Sequence, residues 1–198
     1  PWACLAQESQ FKFLVTDIGK VVNPAPVFTP PKYTVVDNDT DSEYLLQSYI
    51  NESEKTEPST LVLDIEVAME KDINFEHPDR FDMLCIGFKY ADYPIVVFAD
   101  DALSDTFYVL LKTLADKSKV VAHNGTFDLA GLYSGAGELT LSFDTMLASY
   151  VFDERTGIHG LKYLAQEYLG APAYDDEVTA LVGPKKDFGA IPKEILYK

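Results

Sequence analysis

The stretch TLVLDIEV, residues 60–67, constrains the fold more than any other. Its apolar side chains alternate in the period-two pattern of a strand, on which residues two apart share one face. Leu63, Ile65 and Val67 therefore turn into one layer, while Asp64 and Glu66 turn together to the other. Two carboxylates side by side on an interior strand repel each other and shed water, which is costly without a partner charge. A divalent cation answers both problems, and oxygen ligands suit the hard ions Mg²⁺ and Mn²⁺. The plainer alternative puts the pair on an edge strand facing water.

The rest of the chain supplies a frame for such a strand. YTVVDN from Tyr33, Met83–Lys89, Ile95–Phe98 and KVVAH read as further strands, with YADYP as a hairpin turn between the second and third of these. DTDSEYLLQSYINESEK reads as a helix whose Tyr44, Leu45, Tyr49 and Ile50 share one face. SDTFYVLLKTLAD reads as a second helix, opened by a capping Ser or Asp, with Phe107, Leu110, Leu111 and Leu114 turned inward. TFDLAGLY, SFDTMLASYVFD and GIHGLKYLAQEYLG continue as helices, the last with Leu161, Leu164, Ala165 and Tyr168 in register and Gly170 to stop it. Strands first, then a helix, another strand and more helices predict an α/β fold, a mixed sheet with helices on its faces. Residues 1–32 are less regular. FKFLVTDIGKVV offers one or two strands and NPAPVFTPPK is a proline-rich connector, so this part reads as an extension.

Two further acidic motifs follow. VVAHNGTFDLAGLY runs from a strand through an Asn–Gly turn into a helix, placing Asn124 and Asp128 four residues apart. Asp128 falls in the first helical turn, where the macrodipole favours a carboxylate. The simplest roles are a turn cap for Asn124 and dipole decoration for Asp128. In FDTMLASYVFDE, Asp144 opens an apolar helix and reads first as its N-cap, with Asp153 and Glu154 facing solvent at the far end. His159 reads as a helix-start residue, and His77 and His123 have no spacing that defines a site.

Charge narrows the function. Thirty-two acids against 16 bases give a net charge of −16, which argues against a broad electrostatic grip on nucleic acid but leaves room for a local, metal-neutralised site. Cys4 and Cys85 make no metal or redox spacing and fit a reducing compartment, with Cys85 filling core in MLCIGFKY. No apolar run reaches membrane-span length and no signal-peptide pattern opens the chain, so no membrane partner is expected.

Taken in order, D-I-E, then N-x-x-x-D, then FDTMLASYVFDERTGIHGLKYLAQEYLG, the chain resembles the 3′→5′ proofreading exonuclease domain of family A DNA polymerases. These are members of the DEDD exonuclease superfamily. The resemblance runs from Tyr33 to Lys198 and implies a ribonuclease H-like fold. It implies two divalent cations, Mg²⁺ or Mn²⁺, held by Asp64, Glu66 and Asp128 as catalytic residues, with Asn124 holding the substrate strand and Asp144 in support. It also implies hydrolysis of 3′-terminal phosphodiesters in single-stranded DNA, a polymerase domain C-terminal in the parent chain, and a bacterial or phage-host cytoplasm. Val67 stands where many relatives have Thr. The family's third motif, a Tyr with an Asp four residues on, falls by register just past Lys198, on the helix that IPKEILYK begins with Pro192 and Glu194. Tyr197 then reads as a flanking aromatic, and Asp175 and Asp176 as loop residues that do not replace the missing acid. Together with the start at Pro1, this leads us to expect a fragment that is weak or inactive by itself. The rival readings are a ribonuclease D-like RNA-trimming enzyme, a catalytically silent exonuclease fold serving as a binding or scaffolding module, and an acidic α/β domain unrelated to nucleic acid.

Overall fold

The structure, a computed structural model, describes residues 28–55, 57–68, 81–172 and 191–193. The FKFLVTDIGKVV segment, Cys4, His77, Asp175, Asp176 and Tyr197 lie outside the described residues. The chain divides into two compact units, Pro31–Ala148 with Asp176–Lys198, and Pro1–Pro30 with Ser149–Asp175. Among the described residues no helix is long and apolar enough to cross a membrane.

In the larger unit, β1 (Tyr33–Val36), β2 (Thr60–Ala68), β3 (Asp82–Tyr90), β4 (Ile95–Ala99), β5 (Lys119–Ala122) and β6 (Leu141–Asp144) form one sheet in the order β1-β4-β3-β2-β5-β6. β2, β3 and β4 pair antiparallel, while β1 joins β4 and β5 joins β2 and β6 in parallel. The sheet is mixed and flanked by helices, as expected. It carries one strand more than expected: Leu141–Asp144 is β6, where SFDTMLASYVFD reads as helix throughout. The stretch runs without a break into an apolar helical segment, and pairing with β5 decides its conformation.

Helix α1 (Asp39–Ser53) is capped by Asn38, whose side chain accepts from the Asp41 N–H. Its buried face is Leu46, Tyr49 and Ile50, while Tyr44 is 77% exposed. Tyr49 and Ile50 are inward as expected and Leu45 half-buried, but Leu46 takes the place expected of Tyr44, whose hydroxyl-bearing ring stays in solvent. Helix α2 (Asp105–Asp116) starts at Ser104, which accepts from the Phe107 N–H at 3.0 Å, and buries Phe107, Leu111 and Leu114 as expected. An aromatic chain joins helices to sheet: Tyr49 stacks on Phe88 at 5.8 Å, Phe88 meets Phe98 edge-on at 5.4 Å, and Phe98 meets Phe107 at 5.0 Å. Cys85 is buried core, as expected.

Helix α3 (Thr126–Ala136) packs on β2 through Gly131. A Cβ there would stand 2.4 Å from Ile65 Cδ1 and 3.2 Å from the Phe81 ring. In the smaller unit, α4, whose residues Thr145–Phe152 begin in the larger one, leads towards α5 (Leu161–Leu169), which ends at Gly170 in the left-handed region with φ 66°. The helix and its stop at Gly170 are as expected; of the residues at helical spacing, Leu161 and Tyr168 are 47% and 68% exposed and Leu164 and Ala165 half-buried. His159 is buried, its Nδ1 2.9 Å from Ser149 Oγ and its ring stacked on Tyr150.

Gly131→Ala should destabilise the chain by about 1–3 kcal/mol, less the roughly 1 kcal/mol that alanine gains in a helix, because the added methyl overlaps Ile65. Urea unfolding checks this; a stability raised by the full roughly 1 kcal/mol of the alanine preference would mean that α3 does not seat this closely.

Candidate active site

The alternation read in TLVLDIEV is realised in β2: Leu61, Leu63, Ile65 and Val67 are buried, while Asp64 is exposed and Glu66 half-buried on the other face. The strand lies between β3 and β5, so the edge-strand alternative is excluded. Its pairing with β5 nevertheless ends at Val62. Beyond that point the Ile65 N–H has lost its strand neighbour, and Asp128 Oδ1 accepts it instead at 3.0 Å. Asp128 is 5% exposed, far from surface decoration of a helix dipole. A register shift against β3 between Glu66 and Val67 adds a local twist to the same stretch. Asp64, Glu66 and Asp128 thus meet where β2 and β5 part, at the carboxyl ends of parallel strands, where crevices in α/β sheets form.

Asn124 and Asp144 shape the rim. Asn124 takes the left-handed conformation (φ 58°) at the end of β5, with an exposed side chain. It does not cap α3 with that side chain, since the N-cap is Gly125 and no side chain fills the role. Asp144 does cap α4, accepting from the Met146 and Leu147 N–H groups at 2.8 and 3.2 Å. The same carboxylate accepts from Asn124 and Gly125 N–H at 3.1 and 3.0 Å, so it clamps the turn that carries Asn124. Burial would raise the Asp144 pKa, but these four backbone donors outweigh it and hold the carboxyl below its ordinary value. His123, for which spacing defined no role, lies at the end of β5 with Nδ1 2.8 Å from Thr145 Oγ1, and its charge favours ionised Asp64. Only folding together β5 and α4 reveals it, so no signal in the sequence pointed there.

Electrostatics separate the three acids from ordinary surface carboxylates. Glu66 is pushed up to about 7, first by burial, then by the charges of Asp64 and Asp128. Asp128 is pushed up to about 6 by burial and by Asp64, against the bond from Ile65. Asp64 is raised more modestly, by partial loss of solvent, with His123 opposing; its exposed side chain keeps the effect small. Cys85, opposite Glu66 on β3, is pushed up to about 12 by burial and then by Glu66 and Asp64, so its thiol is inert. Among the described residues no lysine or arginine pairs with these acids, and no three His, Cys, Asp or Glu side chains stand close enough to close around a metal ion. The donor set itself, three carboxylates that share one crevice with no lysine or arginine paired to them among the described residues, fits a hard divalent cation.

Glu66 and Asp128 hold protons more tightly folded than unfolded, where their pKa values are about 4.3 and 3.9. Their stabilisation is complete below the unfolded values and is lost as pH rises through about 6 to 7. In chelator, the urea midpoint should therefore fall between pH 5 and pH 8, and Glu66→Gln should flatten that fall; an unchanged slope would show that Glu66 titrates normally. Asp144→Ala should cost about 2 kcal/mol or more, since it strips a helix cap and leaves the Asn124 and Gly125 N–H groups without their acceptor. Thermal unfolding within a degree of the unchanged chain would contradict the clamp.

Comparison with known proteins accords with this arrangement. The model of a family described as 3′-5′ exonuclease matches residues 34–195. The DNA polymerase of Escherichia phage T5 is 33% identical over 105 residues, covering 48% of this chain and 12% of that protein, so the chain spans a small part of the polymerase. Among solved structures, Escherichia coli RNase D, an exoribonuclease involved in structured RNA processing, superposes with a TM-score of 0.59 at 15% identity, over 83% of this chain and 43% of that one. Trypanosoma brucei RNase D in complex with RNA U12 gives 0.59 at 16%, over 91% and 60%. The Aedes aegypti Nibbler EXO domain gives 0.56 at 12%, over 87% and 83%. At these identities the structural likeness establishes the fold, the ribonuclease H-like exonuclease sheet. With the family match across residues 34–195, the chain belongs to the 3′-5′ exonuclease domain family of family A DNA polymerases, within the DEDD superfamily.

Proposed function

We propose that the chain is the proofreading type of 3′→5′ exonuclease, removing nucleotides from the 3′ end of single-stranded DNA beside a polymerase domain in an intracellular parent protein. The observation that carries this reading is the placement of Asp64, Glu66 and Asp128 at the crevice between β2 and β5, where Asp64 raises the proton affinity of both Glu66 and Asp128, and Asp128 that of Glu66. Asp64, Glu66 and Asp128 would hold two divalent cations, Mg²⁺ or Mn²⁺. When bound, such ions relieve charge on the phosphoryl oxygens, activate water and steady the leaving 3′ oxygen.

The chain's own residues do the rest. Asp128 is fixed to the β2 backbone by the Ile65 N–H, which sets the distance between helix and strand acids. Asn124, exposed at the end of β5, offers its amide to the substrate strand, and Asp144 keeps that turn in place through four backbone bonds. With a net charge of −16 the domain contributes little general attraction for DNA, so we assign the basic groove to the rest of the parent protein. The phage T5 polymerase similarity supports DNA as substrate. A ribonuclease D-like activity on RNA is the second reading, supported by the RNase D superpositions.

Release of 3′-terminal nucleotides from single-stranded DNA and a matched RNA, with Mg²⁺ or Mn²⁺, tests the proposal on this chain and on its full natural protein. Degradation of DNA from the 3′ end by the full natural protein, lost in its Asp64→Ala variant, is the expected result, with weak or no cutting by the 198-residue chain alone; preference for RNA would move the chain to the second reading. Calorimetric titration with Mn²⁺ supplies a readout independent of turnover. Glu66→Gln should weaken binding by at least the roughly 10–100-fold seen for outer-shell changes. If neither protein cuts and Mn²⁺ binds no better to the unchanged chain than to Asp64→Ala, the fold is serving as a scaffold.

A further inference from the structure

Beside the three acids, β5 carries a side chain whose neighbours on both sides bear on the site. β5 pairs in parallel with β2 as far as Val62↔Val121, and with β6 as far as Ala122↔Asp144. One step past the last pair with β6, the register sets His123 beside Thr145. Two steps past Val62, it sets His123 level with Asp64. Alternation agrees, since Val62 and Asp64 on β2 share the less buried face with Val121 and His123, between the buried Leu61, Leu63, Val120 and Ala122. Asp64, His123 and Thr145 therefore stand in a row across three adjoining segments, at the point where β2 and β5 part.

The row has a direction. Thr145 Oγ1 lies 2.8 Å from His123 Nδ1 but 3.4 Å from Ala122 O. A hydroxyl has one proton to give, and at these distances the ring nitrogen is the better acceptor. Donation to Nδ1 leaves the proton of a neutral His123 ring on Nε2. The helix does not need this hydroxyl, because Asp144 caps α4 through the Met146 and Leu147 N–H groups. Towards the other end of the row the electrostatics agree in sign, since His123 favours ionised Asp64. We propose that Thr145 and His123 are positioning residues for Asp64: the hydroxyl fixes the ring tautomer, and the dipole of the ring N–H, acting across the gap between the strands, holds the carboxylate in the orientation that grips a divalent cation. The role in metal binding rests on the nuclease function proposed above; the row itself does not.

Nitrogen-15 NMR of the histidine rings at about pH 8, where an ordinary imidazole is neutral, tests the row without any metal. The 198-residue chain has three histidines, and His123→Gln identifies the signals of His123. The Nε2–H tautomer is expected, disturbed in Thr145→Val and restored in Thr145→Ser, with the Nε2 signal moved by Asp64→Asn. Calorimetric titration of the same proteins with Mn²⁺ reads the consequence. Thr145→Val and His123→Gln should each weaken binding roughly tenfold, the low end for outer-shell partners. The double variant should bind no more weakly than His123→Gln, because Thr145 acts only through the ring. An Nδ1–H tautomer in the unchanged chain, His123 signals indifferent to Thr145→Val or Asp64→Asn, or additive losses in the double variant would overturn the proposal. If the tautomer is as expected but Mn²⁺ binds no better to the unchanged chain than to Asp64→Ala, the nuclease reading falls and the metal-binding role with it, while the link from Thr145 through His123 to Asp64 stands.

Discussion

The hydrogen bond from the Ile65 N–H to Asp128 Oδ1 is the joint on which the site depends. It forms because β5 stops pairing with β2 at Val62, leaving a backbone donor in a buried place where it must find an acceptor. The acceptor comes from the first turn of α3, so satisfying the backbone also draws a third carboxylate towards Asp64 and Glu66. Stability and site are opposed here. The bond favours ionised Asp128, while burial and the neighbouring acid favour its protonated form and win.

Asp144 solves the reverse problem. It collects four N–H donors from two elements, the turn after β5 and the start of α4, so its charge is compensated by backbone dipoles alone. A carboxylate satisfied in this way has little affinity to spare for a cation. This accounts physically for one acid in the neighbourhood acting as a brace, held below its ordinary pKa, while the three beside it are raised above theirs.

Much of this was legible in advance. The alternation in TLVLDIEV set which side chains of β2 turn inward, Ser104 and Gly170 marked helix ends, and the mixed sheet followed from element order. Such features are local, and local chemistry writes them directly into the chain. What escaped was set by partners distant in sequence. β6 runs straight into an apolar helix and exists through its pairing with β5, and His123 gains meaning only beside Thr145 and Asp64. Asp128 looked equally suited to decorating a helix end, because nothing in NGTFDLAG tells that the Ile65 N–H lacks a strand partner. The inward face of α1 takes Leu46 in place of Tyr44, since both are apolar by count and only packing separates them.

The ladder around β2 is lopsided: residues 61–68 are paired with β3 nearly throughout, but with β5 only as far as Val62. Mechanically, the half of β2 that carries Asp64 and Glu66 is a cantilever, clamped along one edge by the β3 hairpin and pinned along the other by a single side chain. A load applied to those two carboxylates is borne by β3, whereas Asp128 is held to β2 by one hydrogen bond and by the seating of α3 on Ile65 through Gly131. The crevice therefore has one wall tied through a backbone ladder and one tied through side-chain packing, so a change of side-chain volume at the seam between α3 and β2 would be felt at the acids directly.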